Sequence, residues 1–235
     1  MKNKFERKEI KFLLKKSQKE QFLFRLQEAL LYDQFPDYWI YSVYYDTEQM
    51  DLIAKSVSKP VYKEKLRMRS YQEARSENSP VFLEVKKKYR GVVYKRRKDF
   101  TLKEALSFLK NPKADDVTGG ELKSLIDSSR LKPAISLYYH REAFVWKEIP
   151  DLRITFDDTV CYRRDHHGLF QSEEDQYLID PDLCILEIKA RFALPKMLVR
   201  TLSEMGLVSG SISKAGLVFK QSLLQKGNQK QCQIL

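Results

Sequence analysis

The sequence contains few cysteines, glycines and prolines, and it has no long apolar run. Its three cysteines form no CxxC pair, which argues against a disulfide framework and indicates a reducing compartment. With only 8 glycines and 8 prolines, a collagen-like or low-complexity chain is excluded. No segment reaches the roughly 18 apolar residues of a membrane-spanning helix, and the N-terminus lacks the apolar stretch of a signal peptide. We therefore expect a soluble cytoplasmic protein, which could still have a membrane-bound partner protein.

The motifs of the common nucleotide-binding folds are also missing. The chain has no GxxxxGK[ST], no GxGxxG and no kinase catalytic-loop signature. One segment, Gly210-Ser-Ile-Ser-Lys-Ala-Gly216, offers a hydroxyl, an ammonium and backbone amides that suit a phosphate, but it is too loose for a P-loop. Taken alone, this segment is a weak indication of phosphate binding.

Positive charge is present in excess. The 43 Lys and Arg residues against 32 Asp and Glu leave a net charge of +11. This excess is typical of proteins with a polyanionic partner, which could be nucleic acid, an acidic membrane or polyphosphate. At 235 residues, of which 43% are hydrophobic, the chain can bury a sizeable core. We expect one domain over residues 1–226, followed by a polar tail over residues 227–235.

Local signals predict an α+β chain dominated by one antiparallel sheet. Helical spacing and capping residues, such as the Ser17 and Glu20 pair, predict helices over about 17–32, 102–110, 120–128 and 195–206. Segments rich in Val, Ile, Tyr, Phe and Thr, bounded by turn residues, predict eight strands. These lie near residues 5–14, 40–46, 61–71, 80–89, 92–98, 134–146, 151–158 and 183–191.

Most of these strands have one charged face and one apolar face, because side chains alternate across a strand. The strand near 61–71 is the clearest case, since its charged face consists of Lys63, Lys65, Arg67 and Arg69. The charged faces of four other strands hold Arg7, Glu9 and Lys11; Glu84, Lys86 and Lys88; Arg153, Thr155 and Asp157; and Glu187 and Lys189.

A half-solvated antiparallel sheet would explain any one of these strands. An ordinary solvated face mixes charges, however, whereas here the cations outnumber the carboxylates, and like charges opposite one another are unfavourable without an anion between them. The pattern therefore favours a sheet built around a polyanion, and closure of that sheet would give a basic tunnel. Nucleic acid is less favoured, because the aromatic residues fall largely on the other face and no basic helix is evident.

Seven charged elements recur in an order that resembles a known family. They are Arg7-x-Glu9-x-Lys11, Lys65-Leu-Arg67-Met-Arg69, Leu83-Glu84-Val85-Lys86, Val93-Tyr-Lys95-Arg-Arg97, Tyr138-Tyr-His-Arg141, Leu186-Glu187-Ile-Lys189 and Ser211-Ile-Ser213-Lys214. Over about residues 4–220 the chain resembles the VTC domain, the polyphosphate polymerase of the vacuolar transporter chaperone complex. That family belongs to the CYTH-like triphosphate tunnel metalloenzymes.

The resemblance implies a fold and an activity. The fold would be α+β, a closed antiparallel eight-stranded β-barrel tunnel with a polar, basic interior and helices packed outside. The activity would be transfer of the terminal phosphate of ATP onto a growing chain of inorganic polyphosphate, with triphosphate as a related ligand. The chain would thus be an ATP-dependent phosphotransferase. A manganese or magnesium ion would assist the phosphate transfer.

The resemblance also implies roles for individual residues. Glu187 would bind the metal. The catalytic residues would be Arg67, Arg69, Lys86 and Lys214. Substrate phosphates would be bound by Lys11, Lys88, Lys95, Arg97, Tyr139, Arg141, Lys189 and Ser213.

Two positions depart from the hydrolytic members of that superfamily, which carry ExExK on the first strand and usually a late ExE pair. Arg7 stands where the first Glu would be, and Lys189 replaces the second Glu of the late pair. Fewer carboxylates make it harder to hold metal and activate water, so the sequence favours transfer to phosphate over hydrolysis. A tripolyphosphatase or another tunnel hydrolase, and a non-catalytic polyphosphate-binding module, are the alternatives.

Overall fold

A computed structural model describes residues 8–58, 60–90 and 92–232, with side chains as far as residue 224. Arg7, the first residue of the first charged element, lies outside the described residues. Within them the elements follow in the order β1 (Lys8–Lys15), α1 (Lys16–Leu26), β2 (Leu30–Asp46), α2 (Asp51–Val57), β3 (Tyr62–Ser70), β4 (Pro80–Tyr89), β5 (Val92–Thr101), α3 (Leu102–Lys110), α4 (Val117–Ser129), β6 (Lys132–Trp146), β7 (Ile149–Arg163), β8 (Gln176–Tyr177), β9 (Leu183–Ala190), α5 (Lys196–Glu204) and α6 (Lys214–Cys232).

The eight strands expected from the sequence are all present, and β8 is an additional short one. The largest difference is at the start of β2, because the helix predicted over 17–32 ends at Leu26. The backbone turns at Ala29, whose N–H donates to the carbonyl of Leu26, and the chain continues as a strand from Leu30. The predicted capping box is also displaced by two residues, since the backbone N–H of Lys15 donates to Gln18 Oε1 at 3.0 Å.

Two helices were not predicted. The first, α2, begins where the buried carboxylate of Asp46 accepts hydrogen bonds from the backbone N–H groups of Leu52 and Ile53, each at 2.9 Å. This contact satisfies two donors that a helix N-terminus leaves open. The second, α6, begins at Lys214 and includes residues 227–232 of the predicted polar tail. No helix in the described ranges combines the length and the apolar character needed to cross a membrane.

The sheet is antiparallel and has the strand order β1-β9-β7-β6-β2-β3-β4-β5, with β8 beside β7. A barrel requires the first and last strands of this order to be hydrogen-bonded to each other. In the described part of the chain no such pairing joins β1 to β5, so the sheet is not closed. The prediction of a closed eight-stranded tunnel with a basic interior is therefore wrong, because alternating charged and apolar residues are equally compatible with an open antiparallel sheet.

The chain forms two compact units. The first contains residues 8–39, 139–160 and 179–212, and the second contains residues 40–138, 161–178 and 213–232.

In the first unit the apolar faces of β1, β7 and β9 are covered by α1 and α5. Phe22 of α1 packs edge-on against Phe156 of β7, with ring centres 5.6 Å apart. Leu198 of α5 and Leu186 and Ile188 of β9 belong to the same buried cluster. The opposite face of these strands carries the charged residues, as the alternation of the sequence predicted.

In the second unit α3 and α4 pack on β4 and β5. Leu66 and Leu83, on the apolar faces of β3 and β4, are fully buried, as are Ala105 of α3 and Leu122 of α4. Helices therefore cover the apolar face in this unit too. The charged face of β3, β4 and β5 again points the other way.

Candidate functional site

On the charged face of each unit, cations surround one buried glutamate. The Glu187 cluster of the first unit consists of Glu187, Lys11, Arg141, Asp157, Thr155 and Lys189. The Glu84 cluster of the second unit consists of Glu84, Tyr44, Lys65, Arg67, Arg69 and Lys95. Both glutamates are almost fully buried, with exposed fractions of 5% for Glu187 and 1% for Glu84.

Strand register brings the Glu187 cluster together. Glu187 on β9 lies directly opposite Lys11 on β1 and Thr155 on β7. Directly opposed residues of antiparallel strands share a face, so all three side chains lie on the charged side. Two residues away on the same strands, Glu9 of β1 lies opposite Lys189 of β9, so here the carboxylate is on β1 and the ammonium is on β9.

Three cations contact the Glu187 carboxylate. Its Oε2 lies 3.3 Å from Lys11 Nζ and 3.9 Å from Arg141 Nη2, and its Oε1 forms an ion pair with Lys189. Burial alone would raise the pKa of Glu187, but Lys189, Lys11 and Arg141 hold this pKa well below its usual range. Glu187 is therefore a carboxylate at neutral pH.

Lys11 lies between two carboxylates. Its Nζ is 2.9 Å from Glu9 Oε1 in addition to its contact with Glu187. Burial would lower the pKa of Lys11, but the charges of Glu187 and Glu9 raise it well above its ordinary value. Lys11 therefore keeps its proton throughout the physiological range.

Arg141 is held by a bidentate ion pair that the sequence did not assign to the site. Its Nε donates to Asp157 Oδ1 at 2.5 Å and its Nη2 donates to Asp157 Oδ2 at 2.7 Å. Asp157 is fully buried. The guanidinium also lies over the ring of Tyr139, at 5.4 Å from the ring centre. Asp157 therefore fixes the orientation in which Arg141 faces Glu187.

Thr155 is the second residue that the site analysis of the sequence passed over. Its side chain is 2% exposed, and its hydroxyl has no hydrogen-bond partner among the described residues. Buried hydroxyls normally have a partner. Because Thr155 lies opposite Glu187, this hydroxyl is available to a ligand that binds beside the carboxylate.

The Glu84 cluster is also built by register. Tyr44 on β2, Arg67 on β3, Glu84 on β4 and Arg97 on β5 follow one another across four strands. One step along, Lys65, Lys86 and Lys95 lie opposite one another on β3, β4 and β5. Three ammonium groups on adjacent strands repel one another in the absence of an anion.

Glu84 is bound by three of these cations. Its Oε2 lies 2.6 Å from Arg67 Nε and 3.9 Å from Arg69 Nε, and its Oε1 lies 2.5 Å from Lys95 Nζ. Burial would raise the pKa of Glu84, but Arg67, Arg69 and Lys95 lower it to about 2. One carboxylate thus serves as the counter-ion of several cations.

Lys65 connects the cluster to the segment before α6. Its Nζ donates a hydrogen bond to Ser213 Oγ at 3.2 Å, and Lys214 is the next residue. Burial lowers the pKa of Lys65, Tyr44 opposes this shift, and Lys63 adds to it. Ser213, in the weak Gly210–Gly216 segment of the sequence, therefore lies beside the charged strands of the second unit.

The predicted site residues are divided between the two units. Those in the first are Lys11, Tyr139, Arg141, Glu187 and Lys189, and those in the second are Arg67, Arg69, Lys86, Lys88, Lys95, Arg97, Ser213 and Lys214. Among the predicted residues, Arg67, Arg69 and Lys95 contact Glu84, whereas Arg97 and Lys88 lie elsewhere on the charged face. Arg97 lies over the ring of Phe82 at 4.2 Å and pairs with Asp99, and Lys88 lies opposite Lys63, farther along the strand.

Another group of possible metal ligands lies on the opposite face of the first unit. His140, Glu142 and Asp158 each offer a ligand atom, and these atoms lie within 4.8 Å of one another. The ammonium of Lys19 lies among these three side chains, since it forms an ion pair with Glu142 and lies 3.7 Å from Asp158 Oδ2. None of these residues was predicted, and by strand alternation they lie away from Glu187.

Comparisons with known proteins agree with the order of the charged elements. The family model of the VTC domain matches residues 6–216. Among the solved structures that resemble the chain, a candidate adenylate cyclase from Bacillus halodurans is 13% identical, with a TM-score of 0.52 over 88% of this chain and 95% of that one. A candidate adenylate cyclase from Vibrio parahaemolyticus is 14% identical, with a TM-score of 0.50 over 92% of this chain and 99% of that one.

At these identities the two structures show a common fold and no more. None of the curated proteins gives a significant match. The match to the family model extends over most of the chain and includes every described charged element named above. The chain therefore belongs to the VTC domain family.

Proposed function

We propose that the protein is a polyphosphate polymerase, which transfers the terminal phosphate of ATP onto a growing chain of inorganic polyphosphate. The observation that carries the proposal is the Glu84 cluster, in which Arg67, Arg69 and Lys95 share one buried carboxylate. The cluster thus holds more positive than negative charge around a buried carboxylate. A phosphate chain supplies the missing negative charge.

The residue types of the Glu84 cluster suit phosphate. The guanidinium of an arginine presents paired N–H donors that match two oxygens of one phosphate. Lys65, Lys86 and Lys95 add three ammonium groups in register on neighbouring strands. Successive phosphates placed along these cations would relieve the repulsion between the strands.

The Glu187 cluster differs in charge, and this difference suits a metal. Lys11, Lys189 and Arg141 are accompanied there by the carboxylates of Glu9, Asp157 and Glu187. Magnesium is usually held by one or two carboxylates together with substrate phosphates. Glu187 and the unpartnered hydroxyl of Thr155 fit such a site for a manganese or magnesium ion that arrives with its phosphates. When bound, this ion would neutralise charge on the leaving diphosphate.

The protein's own part in the transfer would be alignment and charge stabilisation, which are the main requirements of phosphoryl transfer. Arg67 and Arg69 would bind the transferred group. The acceptor oxygen of a polyphosphate end is already ionised, so no general base is required. Lys189, at the position where hydrolases carry a carboxylate, instead pairs with Glu187, and this favours transfer over activation of water.

The test is to incubate the purified protein with ATP and manganese and to measure polyphosphate, free phosphate and cyclic AMP in the same samples. We expect polyphosphate to accumulate. Free phosphate without polymer would favour the hydrolase alternative, and cyclic AMP would favour the adenylate cyclase activity for which the two similar solved structures are named. Binding of triphosphate without any product would favour a binding module. Each of these three results would overturn the polymerase assignment.

A matched pair of variants connects this activity to the cluster. Arg67→Ala removes a cation that contacts Glu84. Lys98→Ala removes a cation from the other face of the neighbouring strand β5, where it pairs with Asp115 and Asp116. Only the first change should weaken triphosphate binding and turnover.

A further inference from the structure

Tyr44 is a half-buried phenol on the charged face of the second unit, and no sequence motif predicted a role for it. It lies directly opposite Arg67 in the β2–β3 register. Its Oη accepts a hydrogen bond from Arg67 Nη1 at 3.2 Å, and the guanidinium carbon lies 5.9 Å from the centre of its ring. Tyr44 therefore shares Arg67 with the carboxylate of Glu84.

The charged groups around Tyr44 are mainly cationic. On β3, Arg67, Arg69 and Lys65 act on it. On β4 and β5, Glu84 is bound to Arg67 and Lys95. Tyr138 of β6 stacks on Tyr41 of β2. Tyr41 is three positions from Tyr44, so its side chain lies on the opposite face of the strand from Tyr44. Burial would raise the pKa of Tyr44, but Arg67, Arg69 and Lys65 lower it to about 7.

We infer that Tyr44, through its contact with Arg67, is a further anion-binding residue of the Glu84 cluster, and that its phenol oxygen takes up a proton when an anion binds. The proton comes from solvent and goes to the phenolate oxygen, and no other bond is made or broken. The inference rests on the proposed function, because it requires that the cluster bind phosphate anions.

The physical reason is competition for the same cations. In the ligand-free cluster the field of Arg67, Arg69 and Lys65 stabilises the phenolate. An anion bound to these cations cancels that field, so the phenol regains its proton and its O–H can donate to a phosphate oxygen. Since binding takes up a proton, anion affinity must fall as the pH rises above about 7, by up to roughly tenfold for each pH unit.

The first measurement needs no ligand. Near-ultraviolet absorbance of phenolate, recorded from about pH 6 to about pH 9, should show one tyrosine that ionises well below the usual value of about 10. Tyr44→Phe should remove this ionisation. Tyr45→Phe is the matched control, because Tyr45 is buried on the opposite face and burial raises its pKa. A titration that Tyr44→Phe leaves unchanged would overturn the inference.

The second measurement uses sulfate, whose charge is constant over this range. Titration calorimetry in two buffers of different ionisation enthalpy gives the number of protons taken up on binding. We expect uptake approaching one proton above about pH 8 in the parent and in Tyr45→Phe. We expect clearly less in Tyr44→Phe, with affinity that depends less on pH. Lys65 is present in all three proteins, so the difference between them reports Tyr44.

The outcomes separate this inference from the proposed function. Sulfate binding with equal proton uptake in the parent and in Tyr44→Phe would overturn the role of Tyr44 and leave the phosphate site intact. Failure of both sulfate and tripolyphosphate to bind to any of the three proteins would overturn both proposals.

Discussion

Replacing Glu84 by Gln keeps the shape of the side chain and removes the charge that neutralises its cations. In the parent protein Arg67, Arg69 and Lys95 contact this carboxylate. After the change only a buried amide oxygen would lie between these three cations. We expect Glu84→Gln to be less stable than the parent in the absence of anions and to gain more stability from an added anion.

The size of the expected loss of stability follows from the pKa of Glu84. Its pKa of about 2, against an ordinary value of 4.5, means that the folded protein favours the carboxylate by roughly 3 kcal/mol, at about 1.4 kcal/mol for each tenfold change. Its side chain is 1% exposed, so solvent screens little of this. Since glutamine still accepts one hydrogen bond, we expect a loss of about 2 to 3 kcal/mol in the free energy of unfolding.

Urea denaturation at neutral pH measures this loss. Glu121→Gln is the matched control, because Glu121 also binds two cations, Arg96 at 2.8 Å and Lys87 at 3.4 Å, but is partly exposed. It should lose no more than about 1 kcal/mol. Tripolyphosphate, compared with sodium chloride at equal ionic strength, should restore Glu84→Gln by more than it stabilises the parent, because the uncompensated cations bind the anion more tightly.

The pH dependence supplies an independent check. The folded-state pKa of Glu84 is lowered, so its stabilisation is complete above the unfolded value near 4.5 and disappears as the pH falls toward about 2. The difference between the parent and Glu84→Gln should therefore be constant near neutral pH and shrink below about pH 4.5. A difference under about 0.5 kcal/mol at neutral pH, or equal responses to tripolyphosphate, would refute the reasoning.

Two further predictions concern the Glu187 cluster. Arg141→Gln leaves the carboxylate of Asp157 buried without its bidentate partner, so the free energy of unfolding measured in urea should fall by about 3 to 5 kcal/mol. Arg153→Gln is the control, because Arg153 forms a partly exposed pair with Asp33. This change should lower the free energy of unfolding by at most about 1 kcal/mol. Equal losses would contradict this ranking. Glu187→Gln should lower manganese affinity and nearly abolish polymer synthesis while sulfate still binds, and synthesis at the parent rate would exclude Glu187 as the metal ligand.

The sequence predicted the strands and their faces well. In β3, β4, β7 and β9 the residues that alternate as Leu, Val, Ile and Phe lie on the face that the helices cover, as at Phe156 and Ile188. This part is predictable because a strand has only two faces, and burying one of them fixes the other. The end of α1 was less predictable, since Leu30 and Leu31 fit either a helix or a strand.

Closure of the sheet could not be predicted from residue patterns. Whether β1 and β5 pair depends on the twist and stagger summed over all the strands between them, and no residue in either strand encodes that sum. The alternation of Lys65, Arg67 and Arg69 with Leu66 and Met68 is the same in an open sheet and in a barrel. The prediction of a closed barrel came from the family resemblance, and the observed strand order corrects this prediction.

Three of the residues missed at the site share one property: each acts through a cation that had been predicted. Glu84 and Asp157 neutralise Arg67 and Arg141, and Tyr44 shares Arg67. The charged-face analysis already included Glu84 and Asp157, and the same alternation applied to residues 40–46 would have placed Tyr44 beside Ser42. A buried cation requires a counter-ion before any ligand arrives. The group that holds each cation in the ligand-free protein is therefore also the one with which an incoming phosphate competes for that cation.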